Sequence, residues 1–219
     1  MTSSKREVAG DVAIEITREL AEPVRALRDR LGIVVDQLER HVATSTGPTP
    51  YSWRSLQTLR QDLAAAYLEV TTLARRIDEL DRALDDDPPG WFDLAAAVDL
   101  GLRLANHHLG PEVELLVDLA NVPGVRGSPG TLALVVAQLV AVCASSAREL
   151  PGSALSVRVI NDGAFAAVLI VDNGSGSPRA PSIGDLARDV LEPWGATIEA
   201  ASEVGLGCAF ELRLVTVPA

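Results

Sequence analysis

The stretch Val171-Asp172-Asn173-Gly174-Ser175-Gly176 decides the fold of the second half of this chain. An apolar run over 166–171 leads directly into an aspartate and a Gly-x-Gly turn. A short apolar run bounded by glycines is typical of a buried strand that ends in a tight turn. Because a lone Asp-x-Gly-x-Gly turn recurs by chance, its meaning depends on the segments around it.

The surrounding residues predict an α/β domain over 91–219. Helices are predicted at 93–109, 129–150 and 183–191, and strands at 113–119, 155–160, 165–171, 197–201 and 209–215. Gly163 with Asp162 suits a hairpin turn between the second and third strands. Runs of strands with helices on one face predict a two-layer α/β sandwich.

The first 87 residues predict an antiparallel helical hairpin. Apolar residues recur every three or four positions over 7–43, where Pro23 is expected to kink the helix, and again from Trp53 to Leu84. The second series keeps close to the 3.5-residue period of a coiled coil. Turn-forming residues over 44–52 separate the helices, and the Asp-Asp-Asp-Pro-Pro-Gly run over 85–90 ends the second one. We therefore place a domain boundary between 87 and 88.

A hairpin alone cannot bury an apolar stripe on both of its helices. A second copy of the chain completes a four-helix bundle around a two-fold axis. The alternative is that the hairpin packs on its own second domain. We favour the dimer because the stripe continues through both helices.

Composition limits the classes of partner. The formal charge of −11 argues against non-specific binding to nucleic acid or to an anionic membrane. The sequence has no run of about 18 apolar residues, so no membrane helix is expected, and its polar start does not resemble a signal peptide. Cys143 and Cys208 lie in apolar segments, which predicts buried thiols and no disulfide framework. We expect a soluble cytoplasmic protein.

The order of helical hairpin and mixed sandwich resembles the transmitter core of bacterial sensor histidine kinases. Three segments share this resemblance with the 172–176 turn, which is similar to the adenine-binding box of the family. The segment 91–94 resembles the entry to the catalytic domain, 122–129 resembles the lead-in to its second helix, and 195–210 closely resembles its terminal hairpin. The resemblance covers nearly the whole chain. It implies an α+β protein, with a dimerisation hairpin over 1–87 and a degenerate ATPase-type sandwich over 88–219.

The phosphoacceptor motif of the family has a histidine, then an acid, with a proline five residues after the histidine. Thr17-Arg18-Glu19-Leu20-Ala21-Glu22-Pro23 keeps the acid and the proline, but Arg18 stands at the histidine position. Arginine stays protonated and is not a nucleophile at neutral pH. Phosphoryl transfer through this position is therefore not expected.

The resemblance also implies that most of the nucleotide site is lost. The family carries a magnesium-binding asparagine on the helix over 132–146, and alignment of its apolar positions places Val142 there. Valine offers no oxygen to magnesium. Only 177–194 remains for the nucleotide lid and the second glycine-rich box, and it must also hold a helix. We expect no metal and no cofactor.

Asp172, Gly174 and Gly176 are what remains of the nucleotide pocket. In a working member of the family, the aspartate accepts a hydrogen bond from the adenine amino group. The alternative is that Asp172 caps the turn after its strand and that the glycines serve backbone shape.

These features predict a non-catalytic dimeric adaptor or regulator in two-component signalling. Its partner is expected to be the receiver domain of a response regulator, or a histidine kinase. In the family, the receiver docks on the first helix just past the phosphoacceptor. The corresponding receiver-binding face comprises Arg18, Glu22, Arg25, Ala26, Asp29, Arg30 and Ile33.

Two enzymatic alternatives remain. A histidine phosphotransferase would share the hairpin and an ATP-free kinase-like domain, but it would need a histidine outside the motif, such as His41. A phosphatase of a phosphorylated receiver would need a polar residue one helical turn after the histidine position. That residue is Glu22, and a carboxylate facing a phosphate is unfavourable.

Overall fold

The computed structural model describes residues 26, 29, 31–34, 36, 53–84 and 89–216. Contacts between residues divide the chain into a first unit, Ala13–Asp78, and a second unit that takes in Glu79–Ala219. The domain boundary predicted between 87 and 88 lies outside the described residues. So do the loop predicted at 44–52 and most of the helix predicted over 7–43.

The first unit contains most of a long helix, α1, which spans Trp53–Leu84 and confirms the helix predicted there. Ala66 and Leu73 lie seven residues apart and are both buried, as expected for two successive heptads. The described residues between 26 and 36 are helical, and Val34 among them is buried. The residues that follow the coiled-coil period therefore form a helix with one buried side.

A second stripe on α1 is apolar and exposed. It runs beside the buried side and consists of Leu63, Tyr67, Val70 and Ile77, with Tyr67 exposed over 71% of its surface. The spacing of four, three and seven residues places these side chains on one helix face. We call these four residues the exposed seam.

The second unit is an α/β domain with every helix and strand that the sequence predicts. The largest difference is at the first of its helices, which ends at Ala105 and continues as a 3₁₀ turn. The helices are α2 Leu94–Ala105, α3 Pro129–Arg148 and α4 Ala180–Leu191, with 3₁₀ turns at Asn106–His108 and Glu192–Trp194. The strands are β1 Gly90–Phe92, β2 Glu114–Leu119, β3 Val125–Gly127, β4 Ala154–Asp162, β5 Phe165–Asp172, β6 Thr197–Glu203 and β7 Gly207–Val215.

Five strands form a mixed sheet in the order β2-β4-β5-β7-β6. β2 is parallel to β4, and the other neighbours are antiparallel. On β4 the residues Leu155, Val157 and Val159 are buried, whereas Arg158 between them is exposed. One face of the sheet therefore packs on the helices and the other faces solvent, which confirms the predicted two-layer sandwich.

Helix α3 is the centre of this domain. Ser128 caps its first turn by accepting a hydrogen bond from the Thr131 amide, and Pro129 occupies the first helical position. Among the described residues, α3 is the one helix long and apolar enough to cross a membrane by length and composition. Most of it is buried, because the sheet covers one side and α2 and α4 cover others.

Strands β1 and β3 are not predicted by the sequence analysis. They pair antiparallel, with Gly90 opposite Gly127, and Val125 bridges to Thr216 just past β7. Three residues are too few to show an alternating pattern, so only the tertiary pairing identifies such strands. The hairpin turn predicted at Asp162 and Gly163 is confirmed, and Gly163 adopts a φ of 71° there.

Candidate functional site

Asp172 is the last residue of β5, and its side chain is only 3% exposed. Its Oδ1 accepts hydrogen bonds from the Ser146 hydroxyl at 2.7 Å and from the Gly174 amide at 2.8 Å. Its Oδ2 accepts from the Cys208 amide at 3.0 Å. The Cys143 thiol lies close to this carboxylate, whose charge contributes to raising the pKa of the thiol. We call these five residues the Asp172 cluster.

Three donors from the chain itself therefore meet the Asp172 carboxylate. An ionised carboxylate has about four acceptor positions on its two oxygens. The donors come from α3, from the turn after β5 and from β7, so the carboxylate joins three parts of the domain. Chemically, this arrangement holds the turn in place, and burial leaves little of the carboxylate accessible to a ligand.

The turn after Asp172 is fastened to its surroundings on both sides. The Gly176 amide donates to Ser146 Oγ at 2.8 Å, and the Ser175 amide donates to the Ser146 carbonyl at 3.1 Å. On the other side, the Ser177 amide donates to Ser202 Oγ at 2.8 Å. The turn therefore closes over the end of α3 and reaches the hairpin of β6 and β7.

Two glycines are required because the chain approaches itself closely. A Cβ on Gly174 would lie 2.2 Å from the Ser146 carbonyl oxygen. A Cβ on Gly207 would lie 2.1 Å from the Asp172 carbonyl oxygen, and Gly207 adopts a φ of 99°. The glycines of this region thus allow α3, β5 and β7 to meet without an intervening side chain.

Helix α3 offers apolar packing at the position where the kinase resemblance implies a metal ligand. Val142 is buried there, and Gln138 one turn earlier is also buried. Ser145 is exposed. Over 53–84 and 89–216, no group of three or more His, Cys, Asp or Glu side chains is arranged to hold a metal ion.

The interval after the turn is mostly helix. Helix α4 begins at Ala180, three residues before the predicted start, and a 3₁₀ turn follows directly to Trp194. Gly184 lies within this helix, where its missing side chain lets Ala200 approach. An interval filled in this way has little chain left for a loop that could cover a nucleotide.

Solved structures of histidine kinases share this architecture. The histidine kinase domain of the Erythrobacter litoralis EL346 blue-light-activated kinase superposes with a TM-score of 0.50 at 14% identity, covering 87% of this chain and 95% of that domain. The catalytic domain of histidine kinase ThkA superposes with a TM-score of 0.51 at 11% identity, covering 60% of this chain and all of that domain. No protein-family model matches the chain, and no curated protein is significantly similar to it.

The chain has the fold of a histidine kinase core.

Within this histidine kinase fold, the predicted site residues fall into two groups. Asp172, Gly174 and Gly176 come together in the second unit, as the turn requires. In the receiver-binding face, Ala26, Asp29 and Ile33 are described, and all three are helical and exposed. Four predicted residues of that face, and one alternative nucleophile, lie outside the described residues: Arg18, Glu22, Arg25, Arg30 and His41.

Sequence reasoning did not identify the partners of Asp172 in this fold. Ser146 is 26 residues earlier in the chain and Cys208 is 36 residues later. One signal was available, since Cys143 and Ser146 are three residues apart and therefore share a face of α3. The prediction that both cysteines are buried is confirmed.

The two thiols of this histidine kinase fold titrate as a coupled pair. A hydrogen bond from Cys143 lowers the pKa of Cys208 to about 6, although burial opposes this shift. The same hydrogen bond, burial and the nearby Asp172 charge all raise the pKa of Cys143 above its usual range. The pair therefore loses its first proton at Cys208, and ionisation of Cys143 beside that thiolate and the Asp172 carboxylate is strongly disfavoured.

Proposed function

We propose that this chain is a non-catalytic dimeric adaptor of two-component signalling, which binds a receiver domain or a histidine kinase in the cytoplasm. The observation that carries the proposal is the burial and internal hydrogen bonding of Asp172. The carboxylate that would recognise adenine is only 3% exposed and already accepts three hydrogen bonds from its own chain. A histidine kinase fold that uses this carboxylate internally keeps its scaffold without a place for the nucleotide.

The sequence adds an argument about the phosphoryl group. Arg18 stands where the phosphoacceptor histidine is expected, and a guanidinium cannot accept a phosphoryl group as a nucleophile at neutral pH. With no nucleotide and no acceptor, binding is the activity that remains. A receiver held on the first helix would be sequestered without phosphoryl transfer.

The exposed residues of the helix predicted over 7–43 support docking of a receiver domain on that helix. Ala26, Asp29 and Ile33 lie three and four residues apart, so they share one face of the helix. Ile33 is an apolar side chain exposed over 51% of its surface. A mixed apolar and charged helix face of this kind fits a helix-in-groove or helix-to-helix contact.

Charge reversal on the receiver-binding face tests the adaptor role. The double variant Arg25→Glu, Arg30→Glu is expected to weaken binding of a receiver domain by roughly tenfold or more, because it reverses two charges on the contact face. Binding is measured by biolayer interferometry against the purified receiver domains of the source organism. Arg179→Glu, an exposed position in the second unit, is the matched control and is expected to bind like the wild type.

Two results would contradict the adaptor role. One is that neither a receiver domain nor a histidine kinase of the source organism binds the wild-type protein. The other is that the double variant binds as tightly as the wild type. Phosphorylation of the purified protein by a phosphorylated receiver would replace the proposal with the phosphotransferase alternative.

The exposed seam supports a homodimer as part of the same proposal. Its members continue the heptad of α1 next to the buried residues Ala66 and Leu73, as a four-helix bundle core would require. The double variant Val70→Glu, Ile77→Glu is expected to convert a dimer to a monomer, because two carboxylates would be buried in the interface. Light scattering after size exclusion measures the mass directly.

Leu68→Glu is the control for the seam. Leu68 is also apolar and 66% exposed, but it lies about 100° around the helix from Tyr67. This variant is expected to remain a dimer. A wild-type protein with the mass of one chain, or a Leu68 variant that dissociates as readily as the seam variant, would overturn the seam as the interface.

A further inference from the structure

Cys143 and Cys208 are the only two cysteines of the chain, and both are buried in the core of the second unit. They lie on different elements, α3 and β7. Cys143 is one helical turn before Ser146, whose hydroxyl binds Oδ1 of Asp172, and the Cys208 amide binds Oδ2 of the same carboxylate. Ser146 and Cys208 thus both bind the Asp172 side chain, which places Cys143 and Cys208 in the same part of the core.

The two thiols interact within a polar environment. Each shifts the pKa of the other, and Cys208 Sγ lies 3.5 Å from Ser202 Oγ. The Cys143 thiol and the Ser202 hydroxyl both lower the pKa of Cys208. They thereby favour the thiolate, which is the reactive form of a cysteine. A pair of inert core thiols would be surrounded by apolar groups instead.

We propose that Cys143 and Cys208 form a dithiol–disulfide site that small hydroperoxides such as hydrogen peroxide oxidise. The Cys208 thiolate attacks one oxygen of hydrogen peroxide, the O–O bond breaks, and hydroxide leaves to give a sulfenic acid at Cys208. The Cys143 sulfur then attacks the Cys208 sulfur, the S–O bond breaks, and the second oxygen leaves as water with the Cys143 proton. In total, two thiols and one peroxide give one disulfide and two waters.

The burial of both sulfurs selects the oxidant. Hydrogen peroxide is uncharged and nearly as small as water, so a brief local opening of the turn after β5 admits it. A bulky disulfide such as oxidised glutathione needs a much larger opening. Cys143, whose thiol interacts with Cys208, is placed to resolve the sulfenic acid before further oxidation.

Oxidation has a structural consequence at Asp172. Formation of the S–S bond draws α3 and β7 together at Cys143 and Cys208, beside the hydrogen bonds that Ser146 and the Cys208 amide make to Asp172. The amides of Gly174 and Gly176, which are held by Asp172 and Ser146, are expected to exchange hydrogen faster in the oxidised protein. This proposal does not depend on receiver binding.

Mass spectrometry with alkylation tests the proposal. The folded protein is treated with hydrogen peroxide, then unfolded in urea with N-ethylmaleimide, and the intact mass is measured. Reduced protein takes two maleimide groups, whereas the oxidised protein is expected to take none and to lose two hydrogen atoms. Peptide mapping is expected to find 143 joined to 208, and dithiothreitol is expected to restore both alkylation sites.

Cys143→Ser and Cys208→Ser serve as variants, each with one cysteine left. Cys143→Ser is expected to accumulate sulfenic or sulfinic acid at Cys208, whereas Cys208→Ser is expected to react far more slowly. Three results would overturn the proposal: two maleimide groups on the peroxide-treated wild type, a disulfide only between two chains, or equal reactivity of the single-cysteine variants.

Discussion

The Asp172→Asn variant is expected to lose about 3 kcal/mol of unfolding free energy relative to the wild type. The carboxylate accepts hydrogen bonds from two buried amides and one buried hydroxyl. Asparagine has one acceptor oxygen and a donating amide nitrogen, which would face the Cys208 amide or the Ser146 hydroxyl. Hydrogen bonds to a charged group contribute about 1.5–3 kcal/mol each, and an unsatisfied buried donor costs about 1–3 kcal/mol.

Urea unfolding followed by circular dichroism measures this loss as a lower midpoint with an unchanged slope. Asp185→Asn is the control, since Asp185 makes an exposed ion pair with Arg188 one turn away. Exposed pairs of this kind contribute less than about 1 kcal/mol, so this variant is expected to unfold like the wild type. A stable Asp172→Asn variant, together with ATP binding by the wild type, would show that the carboxylate is free to recognise a ligand.

Gly207→Ala is expected to destabilise the second unit by at least about 3 kcal/mol. The new methyl would lie 2.1 Å from the Asp172 carbonyl oxygen, a backbone atom that cannot rotate away. The positive φ of Gly207 adds strain for any residue with a Cβ. Relief requires β7 to move away from the end of β5, which also lengthens the hydrogen bond from the Cys208 amide to Asp172.

Gly163→Ala separates the effect of the positive φ from the effect of the steric overlap. Gly163 also has a positive φ, but a Cβ there would meet nothing within 4 Å. Backbone strain alone is expected to cost about 1–2 kcal/mol at this position. Equal losses for the two variants in thermal or urea unfolding would mean that the approach of β7 to Asp172 is not tight. A much larger loss for Gly207→Ala than for Gly163→Ala would confirm that β7 approaches Asp172 closely.

The residues of β5 illustrate what a sequence can predict and what it cannot. The apolar run before Asp172 predicted a strand, and the Gly-x-Gly pattern predicted the turn, because both depend on neighbouring residues. Two roles for the carboxylate remained open. The donors that distinguish them belong to α3 and β7, and no local pattern says which distant amide will face a given carboxylate.

Helix α1 shows the same limit in another form. Its period and the turn-forming residues on either side were together sufficient to place the helix from Trp53 to Leu84. The period did not separate the buried Ala66 and Leu73 from the exposed Tyr67 and Val70, since all lie on one broad apolar side. Which part of that side is covered depends on the packing of a second helix against it.

The sequence by itself determined the helices, the longer strands, the two-layer architecture and the resemblance to histidine kinases, because these follow from periodicity and local motifs. Only the tertiary structure decided the pairing of β1 with β3, the three hydrogen bonds to Asp172 and the interaction between Cys143 and Cys208. The physical reason is the separation along the sequence between the residues that interact. Backbone conformation responds to residues three or four positions away, whereas a buried polar group takes whichever donors the packed core brings to it.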